Sequence, residues 1–212
     1  MSVGEARSLA KLDDVVPESG PLSLPRAAAG VRIRAWQEAD LDRYAFWLRP
    51  HQDWYRWDAP YEPALTAQQL RSVEEHYRDV VDRKDGWDWP EEANSGPVRR
   101  AVVADARTDE LVGTVSWYRR GPMHMGVSIY DPDLRGLGHG TRALKLWADY
   151  LFSATTQSHL CFATWSGNMA MLAVGRKLGF APARHTPRRY VVNGRFYHSV
   201  VMAVAREQWC SV

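Results

Sequence analysis

The stretch that decides the fold runs from Met123 to Leu151, MHMGVSIYDPDLRGLGHGTRALKLWADYL. His124 to Tyr130 is rich in β-branched and aromatic residues and reads as a strand, stopped by Asp131-Pro132. Arg135-Gly136-Leu137-Gly138-His139-Gly140 follows, with three glycines in five residues. A helix comes next, because Ala143, Leu144, Trp147, Tyr150 and Leu151 form an apolar stripe at helical spacing. Glycines before a helix let main chain approach a ligand closely, and the free N–H groups of a helix start favour negative charge. Two readings stand for this turn: a phosphate cradle, or a tight strand-to-helix connection with no ligand. It lacks the Gly-Lys-Ser/Thr ending of a P-loop, and its alternating glycines do not give the dinucleotide spacing G-x-G-x-x-G.

Outward from this unit the pattern is of mixed strands and helices. Val31–Trp36 alternates as a first strand, and Asp40–Leu48 reads as a short helix closed before Pro50. Thr66 is the expected N-cap of a helix reaching to about residue 84, built on Leu70, Val73, Tyr77, Val80 and Val81. Val98–Ala106, Leu111–Arg119 and the His124 strand form a meander, and His159–Trp165 is a further strand. Asn168–Leu178 reads as a helix with Met171, Val174 and Leu178 facing in and Gly179 at its end. Asn193-Gly194 is the turn of a last hairpin, which would set Tyr190 opposite Tyr197 and Arg189 opposite His198. Residues 1–30, rich in Gly, Pro and Ala, read as a loosely held extension with a short helix near Ala6–Leu12. Residues 31–212 then make a single domain.

Composition narrows the class. At 212 residues, 45% hydrophobic and 25% charged, the chain can bury a proper core. Two cysteines, Cys161 and Cys210, exclude a disulfide scaffold, and Cys161 in its apolar strand reads as a small buried residue. No apolar run reaches membrane-spanning length, and the acidic N-terminus is no signal peptide, so a reducing cytoplasm is expected. The net charge is +2, yet Tyr150–Arg206 carries seven basic residues and no Asp or Glu. Either acidic partners lie on the other half of the domain, or this is a positive wall for a polyanion.

Three features together resemble the GNAT acetyltransferase superfamily. Arg135-x-x-Gly138-x-Gly140 is similar to its acyl-CoA pyrophosphate loop. Asn168, with Lys177-Leu178-Gly179-Phe180 downstream, resembles its Asn…Lys-Leu-Gly-Phe signature, and Tyr190–Val204 resembles its C-terminal hairpin. The likeness covers roughly residues 31–209 and is nearest the ribosomal-protein alanine acetyltransferase branch. It implies an α+β layered fold: a mixed, mostly antiparallel sheet of six or seven strands, splayed between its two central strands and flanked by about four helices. It also implies direct attack of a primary amine on acetyl-CoA or another acyl-CoA, with no metal.

By that resemblance, Ile129 and Tyr130 would pair their main chain with the pantetheine arm. The amides of Arg135, Gly136, Leu137, Gly138, His139, Gly140 and Thr141 would hold the pyrophosphate, and Asn168 would contact the cofactor. The chain departs from the family in its candidate acid and base. His124 stands where a carboxylate is common, and an imidazole near pKa 6.5 can accept a proton at neutral pH; the alternative is a histidine at a strand start that simply meets solvent or a carbonyl. Gly175 and Met171 stand where relatives place Tyr and Ser, so a general acid falls to Tyr197, Tyr190 or water. His198 replaces a common Asp and could shape the acceptor site or merely sit on an edge. Trp54, Trp57 and Tyr61 line up either as an aromatic acceptor pocket or as simple packing onto the sheet. The acceptor could be a small-molecule or peptide amine. Two other readings remain: an aminoacyl-tRNA as donor, carried on the basic final third, and a non-catalytic CoA-binding module. A homodimer would fit the family.

Overall fold

The computed structural model describes residues 24, 26–83, 85–90 and 96–209; the expected helix near Ala6–Leu12, most of the N-terminal extension and Cys210 lie outside them. The described chain forms one eight-stranded sheet, in the order β1-β2-β3-β4-β5-β6-β8-β7. The strands are β1 (Arg26–Ala28), β2 (Val31–Arg34), β3 (Arg100–Asp105), β4 (Leu111–Arg119), β5 (Met123–Ile129), β6 (His159–Trp165), β7 (Ala181–Val192) and β8 (Arg195–Ala205). Five helices accompany them: α1 (Glu38–Leu48), α2 (Ala67–Asp82), α3 (His139–Ala154), α4 (Met169–Lys177) and α5 (Arg206–Trp209). All neighbours pair antiparallel except β5 and β6, which run parallel and pair only where His124 faces Cys161. Beyond that point the two central strands part, as the family resemblance implied.

One strand more than expected comes from β1. Its Arg26-Ala27-Ala28 segment has little β-propensity of its own, but it pairs with Ile33 to Val31 across a turn in which Gly30 takes φ +80°. Pairing thus brings the end of the expected loose extension into the sheet.

Alternation in β3 divides the core. Ala101 and Val103 face α3, while Val102 and Ala104 face α1 and α2. On the first face α3 buries Leu144, Trp147 and Leu151 completely, each worth about 1.5–3 kcal/mol. On the second, Trp36, Tyr44, Tyr77 and Tyr130 interlock ring against ring. The start of α1 is pinned to the sheet by a bidentate pair, Arg34 Nη1 and Nη2 donating to Asp40 at 2.7 and 2.9 Å, both side chains buried. Thr66 caps α2 as expected, accepting from the Gln69 amide at 3.2 Å.

Two local expectations shift. In α4 the residues buried deepest are Leu172, Gly175 and Leu178; Met171 and Val174 are half-buried, one step round the helix. A Cβ at Gly175 would lie 2.5 Å from the Phe162 ring, so the Phe162 side chain fills the space that any side chain at this position would need. In the last hairpin Tyr190 does face Tyr197, but the register slips between Thr186 and Tyr190. Arg189 therefore does not pair with His198. Arg188, at φ +49°, donates its amide to His198 Nδ1 instead.

Candidate active site

A cavity of about 940 Å³ opens where β5 and β6 part and extends under α1, so it has two ends of different make. The first lies between β5, the glycine turn and α4. Gly136 and Gly138 both take positive φ, +76° and +84°, which L side chains avoid. That geometry turns successive amides outward. Arg135 N is spent on Pro132 O at 3.2 Å, and Arg142 N returns to Gly138 O at 3.1 Å. Among the described residues, the six amides from Gly136 to Thr141 between them bond to no carbonyl or side chain outside their own helix. Unspent donors before and within the first turn of a sixteen-residue helix are an arrangement to which an anion can bind, and four of the six residues, Gly136, Gly138, Gly140 and Thr141, line the cavity.

The side chains around this turn have other work. Arg135 donates Nε to Ile129 O at 3.2 Å and Nη2 to Tyr130 O at 2.7 Å, and pairs through Nη1 with Asp53. It thereby fastens the end of β5 to the 3-10 turn Asp53–Arg56, and these bonds hold the Asp53 carboxyl below the usual carboxylate range. Leu137 is 58% exposed and His139 is buried with Nδ1 3.2 Å from Leu134 O; neither lines the cavity, unlike Gly136, Gly138, Gly140 and Thr141. Tyr130 gives its amide to Val112 O at 2.9 Å and its carbonyl to Arg135, so its main chain is already engaged. Strand alternation instead turns the main-chain groups of Val127 and Ile129 toward the gap beside β6.

Asn168 lines the cavity but is committed on both sides. Its Oδ1 accepts from Met171 N at 3.0 Å, capping α4, and its Nδ2 donates to Trp57 O at 2.6 Å. Trp165 Nε1 donates to the same carbonyl at 3.0 Å. The aromatic loop is thus tied to the start of α4.

The second end is walled by that loop. Trp54 is buried against Tyr130 and Tyr55, whereas Trp57 is 42% exposed and Tyr61 stacks on Tyr190 with centroids 3.7 Å apart. All three line the cavity, so packing and lining are both met in this loop. Two further groups here escaped the sequence reading. Asp58 is exposed to the cavity yet ringed by protein, and among the described residues nothing donates to its carboxylate. Burial pushes its pKa up, Arg100 pulls it down, and Glu62 adds to the rise. Arg100 reaches in from β3 with one hydrogen bond, from Nη1 to Tyr44 Oη at 2.9 Å. Asp58 sits in an aromatic run and Arg100 opens an apolar strand; neither stands out by spacing.

The residues expected to move protons lie elsewhere. His124 is 2% exposed and outside the cavity lining; its Nδ1 sits 2.9 Å from Pro122 O, which can only accept, so Nδ1 carries the proton. Its Nε2 is buried without a partner, and burial pushes the ring's pKa down. Tyr118, stacked on His124, faces the cavity instead. Tyr197 packs edge-on against Trp165, and His198 lies against His185; neither lines the cavity, but Tyr190 does. Cys161 is buried, its thiol pKa pushed up to about 11, as suits an inert core residue. Arg206 is spent on three carbonyls at the end of α3, while Arg176, Lys177, Arg184, Arg188, Arg189 and Arg195 pair with no carboxylate among the described residues. Lys177 lines the cavity at the end nearer the glycine turn. Among the described residues no helix is long and apolar enough to cross a membrane.

Comparison with known proteins agrees with this architecture. The chain is 28% identical over 188 residues to spermidine N(1)-acetyltransferase of Escherichia coli (strain K12), covering 86% of this chain and 90% of that protein. Among solved structures it resembles spermidine N-acetyltransferase from Vibrio cholerae in complex with CoA and spermine, with a TM-score of 0.65 at 18% identity over 86% of this chain and 99% of that one. It also resembles ribosomal-protein-S5-alanine acetyltransferase from Vibrio fischeri, with a TM-score of 0.60 at 20% identity over 88% and 99%. Residues 31–181, from β2 through the glycine turn to the first residue of β7, match the family model described as an acetyltransferase (GNAT) domain, and the chain belongs to that family.

Proposed function

We propose that this protein transfers the acetyl group of acetyl-CoA to the primary amine of a small molecule. The observation that carries the reading is the row of six unspent amides from Gly136 to Thr141 at one end of the cavity. A diphosphate answers those donors, and the open edge of β5 at Val127 and Ile129 continues the line toward the second end. Lys177 adds positive charge along the way. The relatives named for spermidine acetylation, one of them bound to CoA, support the same donor and an amine acceptor.

In this reading the amine nitrogen attacks the thioester carbonyl carbon, a C–N bond forms, and the C–S bond breaks with its electron pair leaving on sulfur. The nitrogen must first shed a proton. Asp58 is the carboxylate best sited to take it, directly or through one water, since it lines the acceptor end with no competing partner. His124 is a weaker candidate than its sequence position suggested, because its free nitrogen is buried outside the cavity. Tyr190 and Tyr118 line the cavity and can return a proton to the thiolate, as can water.

Titration calorimetry with acetyl-CoA tests the donor site. Binding is expected in the wild type and lost in Gly138→Trp, whose Cβ would meet Arg142 Nη1 at 2.8 Å on a backbone at φ +84°. Absence of acetyl-CoA binding, together with tRNA binding that falls steeply with salt, would replace this reading with the aminoacyl-tRNA one.

A further inference from the structure

Arg100 is paired with no carboxylate among the described residues, although Asp58 and Asp88 lie near enough for its charge to act on them. Phenols surround it, those of Tyr44, Tyr77 and Tyr130, and burial raises the pKa values of Tyr77 and Tyr130. They are therefore neutral and cannot balance a guanidinium. Asp88 faces Arg100 across an isolated β-bridge, but its carboxylate accepts from His76 Nε2 at 3.2 Å and Tyr77 Oη at 3.4 Å. Among the described residues no carboxylate comes within ion-pair distance of Arg100. Its one hydrogen bond, to Tyr44, leaves most of a five-donor fork unused. A partly buried guanidinium with most of its donors unpaired is costly, and it faces a cavity.

Its position in the sheet sets a length. Arg100 pairs with Ser116 and Ser116 with Gly126, so the three residues form one row across β3, β4 and β5. Neighbouring strands are about 4.8 Å apart, which puts the Arg100 main chain about 10 Å from the edge beside the splay. A guanidinium reaches across much of that span. Gly126 leaves the row open, for a Cβ there would sit 3.6 Å from Ser116 Oγ. What remains between Arg100 and the gap fits a short molecule charged at both ends. The opposite pole is present as well: Asp58 and Glu62 line the same end of the cavity.

We infer that the acceptor is an amine that also carries a carboxylate, an amino acid or close relative, with Arg100 gripping the carboxylate while the ammonium lies toward Asp58. The inference rests on the acetyl-CoA reading above and names its substrate class. A carboxylate matches the planar fork of arginine with two parallel hydrogen bonds. A polyamine would instead bring a second positive charge to the end that already holds Arg100 and would leave its donor fork unused. The reaction forms an N-acetylamino acid: the ammonium gives one proton to Asp58 and on to solvent, the nitrogen bonds to the acetyl carbon, the C–S bond breaks with its electron pair leaving on sulfur, and the second nitrogen proton passes to the thiolate to give the free thiol.

The test measures free-thiol release from acetyl-CoA with a panel of L-amino acids, each beside its own carboxamide, and with spermidine as a purely cationic control. At least one acid should exceed its carboxamide in kcat/KM by about tenfold or more, since a charged hydrogen-bonded pair is at stake. Arg100→Met should erase that ratio while calorimetry finds acetyl-CoA affinity unchanged. Arg100→Lys, which keeps the charge and loses the fork, should retain part of it and answers any failure of the methionine variant to fold. The inference is overturned if no acid outpaces its carboxamide, if spermidine is the better substrate, or if the ratio survives in Arg100→Met. Loss of acetyl-CoA binding in the wild type would mark the donor reading itself as the failure.

Discussion

The two ends of the cavity are made of different material. At the end proposed for the donor the cavity-facing groups are main chain: the amides of Gly136, Gly138, Gly140 and Thr141 and the open edge of β5. The side chains there, Arg135 and Asn168, brace the structure by holding carbonyls and capping α4. At the second end the cavity-facing groups are side chains, Asp58, Glu62, Arg100 and the Tyr61–Tyr190 stack, drawn from three separate segments: the aromatic loop, β3 and β7. A main-chain site tolerates change in most side chains as long as the glycines keep their φ values. A side-chain site can be re-specified one residue at a time.

Removing one carboxylate probes the contrast most sharply. Asp58→Asn should cut kcat by about 10²–10⁴-fold while leaving acetyl-CoA affinity intact. The sign of its pH dependence follows from the raised pKa: Asp58 must be ionised to accept a proton, so the rate climbs as pH rises through a value above that of an ordinary carboxylate. The variant should lose that limb. A variant that instead lost acetyl-CoA binding would show the two ends to be one site.

The donor end was the more legible because its signal is local. Three alternating glycines before an amphipathic helix state the geometry within one short segment, and Asn168 with Gly179-Phe180 frames α4. Main-chain availability was read less well: Tyr130 was named where alternation favours Val127, since neither the Val112 bond nor the Arg135 clamp appears in sequence. The acceptor end resisted reading because its members meet only in three dimensions. Asp58 and Arg100 lie in different segments, joined across the sheet by burial beneath α1. His124 drew attention by its place on β5, but a turn carbonyl and Tyr118 enclose it. The β1 pairing was hidden for a similar reason, its residues being ordered by their neighbours rather than by propensity.

A smaller effect should come from the buried pair beneath α1. Asp40→Ala leaves Arg34 with only the Asp109 contacts and nearby carbonyls, and should cost about 3 kcal/mol in urea unfolding. Because α1 carries Tyr44 over the acceptor end, acceptor KM should rise more than acetyl-CoA affinity falls. The smallest effect concerns His124, which lies outside both ends. Its pKa is depressed in the folded chain, so the stability it contributes is present above its unfolded value of about 6.5 and drains away as pH falls below it. His124→Gln should flatten that part of the stability curve and leave the rate at pH 8 within about twofold of wild type.

The Trp57 carbonyl, held at once by Trp165 and Asn168, has a bearing on how molecules get in. Lifting this loop would strand two donors, each costing about 1–3 kcal/mol, and would also unsettle the cap of α4. The loop therefore behaves as a fixed lintel over a doorway rather than a hinged lid.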